Sequence, residues 1–289
     1  MGINFQDVKF AYYIPRNKKK TRYQLTDVNL NISAENEFIG IVGHTGSGKS
    51  TLVQLMNALN RPTYGSVEVL GHKVTRKSKT LLKPIRQNVG LVFQFPEYQL
   101  FEQTSLEDIM FGPKNFGFTK EEAEKNALEA AEIVGLNEEL LEKNPFTLSG
   151  GEMRKVAISG ILASKPKILI FDEPTVGLDP KTKKELMNLL LDLNKMGKTI
   201  IIVTHDMEVV SRYCDRVIVL EEGKIALDLP KKELFSKKEL LDRYSLDYPV
   251  LMKLLQRIKD QYNVDIDVNK FTLEDAYLEI RKVLGKSHG

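Results

Sequence analysis

The segment Gly43-His44-Thr45-Gly46-Ser47-Gly48-Lys49-Ser50 constrains this chain more than any other. It fits the spacing G-x-x-x-x-G-K-[ST] at every fixed position. The apolar run Phe38 to Val42 precedes it and reads as a buried strand, and Leu52 to Leu59 follows with helical periodicity. A loop between strand and helix turns its backbone N–H groups inward at a helix N-terminus, where the dipole favours an anion. Glycine permits the close approach and the backbone angles this needs. Lys49 supplies a point charge for β- and γ-phosphates, Ser50 a hydroxyl for Mg²⁺, and Thr51 an α-phosphate contact. The stretch is a candidate triphosphate cradle.

Such a cradle needs a carboxylate at the end of a neighbouring strand. Ile168-Leu169-Ile170-Phe171-Asp172-Glu173 has the right form, with four apolar residues and then two acids. Asp172 is placed to hold Mg²⁺ through water. Glu173, one residue further, can orient and deprotonate an attacking water. A surface Asp-Glu pair is the bland reading of an isolated motif. Its position downstream of the cradle, with Pro174 next, favours the functional one.

The remaining pattern alternates strands and helices, which predicts an α/β fold with a parallel or mixed sheet. Ser66 to Leu70, Val89 to Phe93, Thr199 to Thr204 and Val217 to Leu220 read as strands, and Glu222-Gly223-Lys224 as a hairpin turn into Ile225 to Leu229. Helical periodicity runs from Ser105 to about Lys165, with breaks expected at Gly112-Pro113, Gly135 and Pro145, and again from Thr182 to Met196. After Pro230 the strands stop and three short helices are expected, placing a boundary near position 230. The basic run Asn17-Lys18-Lys19-Lys20-Thr21-Arg22 reads as a solvated loop between strands.

Composition removes several classes. The 289 residues carry a net charge of +3, too small to argue for nucleic acid. One cysteine, Cys214, excludes an intramolecular disulfide and fits a reducing compartment. No apolar run approaches the roughly 18 residues of a spanning helix, and Met1-Gly2-Ile3-Asn4-Phe5 lacks the features of a secretion signal. A cytosolic globular chain is expected.

Leu148-Ser149-Gly150-Gly151-Glu152 lies between the cradle and the Asp-Glu strand. Ser149 and Glu152 form a capping box opening a helix, and the adjacent glycines leave its first N–H groups uncovered for a foreign γ-phosphate. In that order and spacing the segment resembles the signature of ATP-binding-cassette (ABC) ATPases. The resemblance extends over roughly residues 3 to 230. It implies an ABC-type P-loop NTPase domain over 1–230 with a mixed sheet core and a helical subdomain at about 95–165, followed by a small helical extension over 231–289. It implies ATP and Mg²⁺ as ligands, and these residue roles: Gln94 as the glutamine that touches Mg²⁺ and water, His205 as the γ-phosphate switch, Asp179 in Gly177-Leu178-Asp179-Pro180 as the aspartate that couples across a dimer, and Tyr12 as the adenine-stacking aromatic, with Tyr13 an adjacent competitor. It also implies a head-to-tail dimer in which the cradle of one subunit faces the signature of the other. A coiled-coil DNA-repair ATPase, a two-cradle translation factor and an exporter half with its own membrane helices all require features missing from this sequence.

Other stretches resemble one branch, the energy-coupling-factor ATPases of vitamin and metal-ion importers. Phe93-Gln94-Phe95-Pro96-Glu97-Tyr98-Gln99-Leu100-Phe101-Glu102 is similar to that branch's acidic segment, which meets helices of a transmembrane T component. The expected chemistry is Glu97 and Glu102 offered to partner arginines, with Phe95 and Phe101 as apolar anchors. Phe111 to Gly117 and Asn144-Pro145-Phe146 also resemble the branch. Gly43-His44-Thr45-Gly46 and Gln94-Phe95-Pro96-Glu97 resemble the second of its two ATPase types, which implies a heterodimer with a distinct A1-type ATPase, a homodimer being the other option. Substrate-binding S components would be indirect partners, and the place of work the cytoplasmic face of the cell membrane. The nearest alternative is the ATPase of another ABC importer, for amino acids, metals or peptides. In the extension, Val250, Leu251, Leu254, Leu255 and Ile258 recur at helical spacing, and packing onto the core and a dimer contact are equally open readings.

Overall fold

The structure is a computed structural model that describes residues 2–286. In chain order the elements are β1 (Gly2–Phe10), β2 (Leu25–Ser33), β3 (Phe38–Val42), α1 (Lys49–Met56), β4 (Tyr64–Val69), β5 (His72–Val74), α2 (Lys83–Asn88) and β6 (Val89–Val92). Then come α3 (Ser105–Phe116), α4 (Lys120–Val134), α5 (Glu138–Leu141), α6 (Gly150–Leu162), β7 (Ile168–Asp172), α7 (Pro180–Lys195) and β8 (Thr199–Val203). The chain continues with α8 (Met207–Tyr213), β9 (Arg216–Glu221), β10 (Lys224–Pro230), α9 (Lys231–Ser236), α10 (Lys238–Arg243), α11 (Val250–Tyr262) and α12 (Leu273–Lys286).

Two sheets are formed among the described residues. The larger has the order β10-β9-β3-β8-β7-β6, and the smaller, antiparallel one the order β2-β1-β4-β5. In the larger sheet β9, β3, β8, β7 and β6 run parallel and β10 closes one edge antiparallel. The sheet is mixed, as the sequence pattern predicts. The β9–β10 turn uses Glu222 and Gly223, both at positive φ, the geometry whose twist matches a two-residue hairpin.

Near-continuous apolar strands belong in a sheet covered on both faces, and successive side chains divide between two cores. Phe38, Val42, Leu169, Phe171, Ile200, Ile202, Val217 and Val219 join the core shared with α6, α7 and α8. Their neighbours Ile39, Ile41, Ile168, Ile170, Ile201, Val203, Ile218 and Leu220 join the core shared with α1 and the small sheet. A shift of one residue in any of these strands would exchange its faces.

The break expected at Gly112-Pro113 does not occur. α3 runs on to Phe116 and ends at Gly117 in the left-handed conformation, while the Pro113 carbonyl accepts from the Phe118 amide. A Cβ at Gly112 would lie 3.0 Å from the Gly160 carbonyl oxygen, so this glycine lets α3 approach α6 closely.

Among the described residues four helices, not three, follow Pro230. Leu234, Phe235 and Leu241 pack into the core shared with α6 to α8, and so does Met252. Leu251 and Leu255 instead form a small core with Ile266 and Ala276. α11 therefore packs within the chain through part of its apolar face, and Val250 and Leu254 stay exposed. Among the described residues no helix is long and apolar enough to cross a membrane.

Leu255 is fully buried in this small core, so Leu255→Ala is expected to cost about 2–5 kcal/mol locally. Hydrogen exchange should accelerate in α11 and α12 while β3 and β8 keep wild-type protection. Equal acceleration in all four elements would contradict the separation of the two cores.

Candidate active site

Parallel pairing places β3, β8 and β7 side by side, so their C-terminal ends open on one edge. The cradle leaves β3 there, His205 follows β8, and Asp172 ends β7. Three segments distant in sequence meet because the strands that deliver them share a direction.

Backbone geometry requires the cradle glycines. Gly43 has φ 142°, and a Cβ there would lie 2.1 Å from the Leu220 carbonyl oxygen. Gly48 caps α1 with φ 104°, and its Cβ would lie 2.8 Å from the Gln24 carbonyl oxygen. Gly46 is at φ 83° in open space, and His44 and Thr45 are exposed beside it. Ser47 Oγ is buried without a hydrogen-bond partner. Lys49 Nζ donates to the carbonyls of Gly43 at 2.6 Å and His44 at 2.9 Å, holding the loop around its own ammonium. Burial pulls the Lys49 pKa down, against the pull of Glu173 and Asp172.

Burial raises the Asp172 pKa, opposed by a hydrogen bond from the Ser50 side chain. That bond joins two of the three residues expected to hold Mg²⁺. Glu173 adopts φ 50°, a left-handed conformation costing of order 1–3 kcal/mol in a residue with a side chain. Its amide is held by the Val203 carbonyl at 2.9 Å. Its carboxylate faces His205 Nδ1 at 2.9 Å, and the Thr204 hydroxyl donates to it at 3.4 Å. His205 is 72% exposed and Glu173 only 18%, so the carboxylate is sheltered and the histidine looks outward.

Tyr12 is tied to the cradle helix. Its hydroxyl bonds Thr51 Oγ1 at 3.1 Å and donates to Gln54 Oε1 at 3.2 Å, and its ring sits edge-on to Phe10. The competitor Tyr13 is more exposed and makes no such contact among the described residues.

The third expected metal residue, Gln94, is exposed just beyond β6 with its side chain unpartnered among the described residues. Ser149 caps α6 through the expected box: the Glu152 amide donates to Ser149 Oγ, and the Ser149 amide to Glu152 Oε2 at 2.8 Å. Gly150 and Gly151 are exposed, and a Cβ at either would meet nothing within 4 Å. No hydrogen bond or ion pair among the described residues joins this segment to the cradle. Asp179 caps α7 by accepting from the amides of Lys181 and Thr182, and the Thr182 hydroxyl, with those amide bonds, holds its carboxyl below the usual range.

Glu97 departs from expectation. It is turned inward onto Arg154 and is only 14% exposed, against 8% for the arginine. Arg154 Nε and Nη2 donate to the two Glu97 oxygens at 3.1 and 3.0 Å, Nη2 also to the Gln94 carbonyl at 3.5 Å, and Nη1 to the Pro174 carbonyl at 3.4 Å. The carboxylate is thus consumed by an internal bidentate pair and is not offered outward. The outward face keeps Phe95, Phe101 and Glu102 and adds Tyr98 and Phe111, which sequence reasoning misses. Phe101 and Phe111 stack edge to face at 4.8 Å, and Phe95 and Tyr98 lie 5.7 Å apart. Arg154 is missed too. An arginine two residues past a capping box is the available signal, but its partner stands in another segment.

The donors fit a hard divalent cation shared with a triphosphate: two protein oxygens at Ser50 and Asp172, and no cluster of three acidic, His or Cys side chains among the described residues. The unpartnered Ser47 hydroxyl and the Cβ-intolerant glycines fit phosphate oxygens at the loop.

Residues 25–176 match the ABC transporter family. The chain belongs to that family. It is an ATP-binding, ATP-hydrolysing transporter subunit. Relatives from Streptococcus pyogenes, described as energy-coupling factor transporter ATP-binding protein EcfA2, are 48% identical over all of this chain and all of theirs. Among solved structures, cbiO1 from Clostridium perfringens, part of the ABC transporter complex cbiONQ, is 35% identical with a TM-score of 0.72, covering 91% of this chain and 98% of its own. The ATP-binding cassette MJ0796, solved as a dimer in a post-hydrolysis state bound to ADP and Pi, is 34% identical with a TM-score of 0.67, covering 79% of this chain and 98% of its own. The Streptococcus relatives thus match the helices beyond Pro230 as well as the cassette.

In this cassette Arg154→Ala leaves the Glu97 carboxylate buried without its cation, and is expected to cost about 3–5 kcal/mol in urea unfolding. Adding Glu97→Ala should recover part of the loss. Strictly additive losses would show that the pair is not coupled.

Proposed function

We propose that the chain powers an energy-coupling-factor importer from the cytoplasmic face of the membrane, as one of two cassettes docked on a transmembrane T component. The observation that carries this is the 48% identity to EcfA2 proteins over both full lengths, extension included. The Streptococcus relatives' description supports an EcfA2-type role, hence an A1-type ATPase as the other half, with S components engaged through the T component. We place the ATPase domain at 1–230, its helical subdomain at about 95–165 and a dimerising extension at 231–289.

In the mechanism, Tyr12 lies against the adenine while Gly43, His44, Thr45, Gly46, Ser47 and Gly48 surround the phosphates with backbone N–H groups. Lys49 turns from its loop carbonyls to the β- and γ-phosphates, and Thr51 serves the α-phosphate. Ser50, Asp172 and Gln94 would hold Mg²⁺, which when bound neutralises charge developing on the phosphate oxygens. Glu173, oriented by Thr204 and His205, accepts a proton from the water that attacks the γ-phosphorus, and the bond to the β-phosphate oxygen breaks to give ADP and phosphate. His205, outward-facing, moves between Glu173 and the γ-phosphate.

The γ-phosphate receives its remaining donors from the opposite cassette. Ser149, Gly150 and Gly151 form an exposed, uncovered helix start with no bond to their own cradle among the described residues, which suits binding in trans. Asp179 stands beside that surface and couples the two halves. Phe95, Phe101 and Glu102, widened by Tyr98 and Phe111, form the aromatic face for the T component. Exposed Val250 and Leu254 on α11 suit the dimer contact of the extension.

Glu173→Gln should retain ATP binding, lose at least about a thousandfold in phosphate release and accumulate as a closed pair of cassettes. Turnover within a fewfold of wild type would remove Glu173 from the base role. Phe101→Ser with Glu102→Ala should leave ATP turnover of the detached subunits near wild type while recovery in the membrane complex falls severalfold. Unchanged recovery in detergent pull-down would exclude this face as the docking surface.

A further inference from the structure

A cavity of about 340 Å³ lies between α9, the start of α10 and α11, away from the nucleotide edge. Its apolar wall comes from Phe235, Met252 and Val268. Its charged groups are Lys238, Lys253 and Arg257, and no carboxylate among the described residues lines it. We infer that this cavity is a binding site for a small organic anion with an apolar body.

The charge distribution carries the inference. Lys238 and Arg257 have no ion-pair partner among the described residues, and Lys253 meets only Asp247, at 4.0 Å. Asp242, on the neighbouring helix, is engaged by the Tyr248 hydroxyl at 2.8 Å, and burial, helped by this bond, pushes the Tyr248 pKa up to about 12. Asp242, Asp247 and Asp260 stand next to the lining residues Tyr248, Lys253 and Gln256 but do not themselves line the cavity, whose charged lining is three cations around an apolar wall. Lys238, Lys253 and Arg257 are exposed at the rim, so a bound anion can pair with them while its apolar part covers the wall. Asn269, also in the lining, has a buried Oδ1 without a hydrogen-bond partner among the described residues, an acceptor that an N–H or hydroxyl on the ligand's body would satisfy. The volume lies at the small end of ligand pockets, which run from about 300 to 1,000 Å³, and this favours a small molecule over a peptide.

The cavity also joins the extension to the ATPase core. Phe235 belongs to the main core, and the Val250 amide at the start of α11 donates to the Glu208 carboxylate of α8, the helix that begins just after His205. An anion bridging α9 and α11 clamps this junction. Occupancy does not depend on what the ATPase drives.

The test is a fluorescence titration of the full-length protein with anilinonaphthalene sulfonate, an aromatic anion, with the cradle filled by a non-hydrolysable ATP analogue. One saturable site per chain is expected. Arg257→Glu should weaken it roughly tenfold or more, as loss of a charge-assisted contact does, and Ser236→Trp at the rim should abolish it. Lys253→Glu, at a side chain 51% exposed, gives a second charge reversal if Arg257→Glu fails to fold. The uncharged parent phenylnaphthylamine should bind roughly tenfold more weakly than the sulfonate. Wild-type affinity in the folded variants, or equal binding of charged and neutral dyes, would overturn the inference and reduce the cavity to an apolar surface depression.

Discussion

The parallel register of β3, β8 and β7 is the constraint from which the site follows. Each strand is buried on both faces, so its position is fixed by two cores at once and cannot shift to suit a loop. Because the three point the same way, the cradle, His205 and the Asp172–Glu173 pair emerge on one edge. The left-handed backbone at Glu173 is sustained by the same arrangement, since its amide bonds to Val203 at the end of the adjacent strand. A strained residue persists where its surroundings over-determine it, and here the surroundings are a fully buried sheet.

A second constraint governs how the helical part follows the sheet. Arg154, near the start of α6, reaches the Glu97 carboxylate and the carbonyls of Gln94 and Pro174. One guanidinium thus ties the signature helix, the segment carrying Gln94 and the loop after Glu173. Its fixed fork of donors makes the contact directional, and its burial makes any mismatch costly. Displacement of the aromatic face beside Glu97 has a short physical route to Ser149 and Gly150, five or fewer residues from Arg154.

What can be read from the sequence is what local chemistry alone dictates. The cradle needs particular residues at fixed spacing, the buried strand before Asp172 has no polar interruption, and Ser149 with Glu152 forms a cap within one helical turn. These carry their partners with them. Glu97 does not: its partner lies 57 residues away, so an acid in an aromatic stretch reads as exposed until the fold brings Arg154 to it. The same holds for Tyr98 and Phe111, whose membership of one outward face depends on how α3 folds back. Pro113 misleads because it removes one bond, its own to the carbonyl four residues back, and α3 has only three more residues to run before its Gly117 cap. In the extension the apolar spacing of α11 is clear, but its division between Met252, facing the main core, and Leu251 and Leu255, facing the small one, depends on tertiary packing.

Completion of each nucleotide site by the opposite cassette is tested most directly by the structure, from electron cryo-microscopy, of the reconstituted membrane complex with ATP trapped by the Glu173→Gln cassette. Ser149 Oγ is expected within hydrogen-bonding reach of the γ-phosphate held by the opposite cassette, with the Gly150 and Gly151 amides beside it. A nucleotide-loaded complex in which Ser149 lies beyond reach of every γ-phosphate would contradict it.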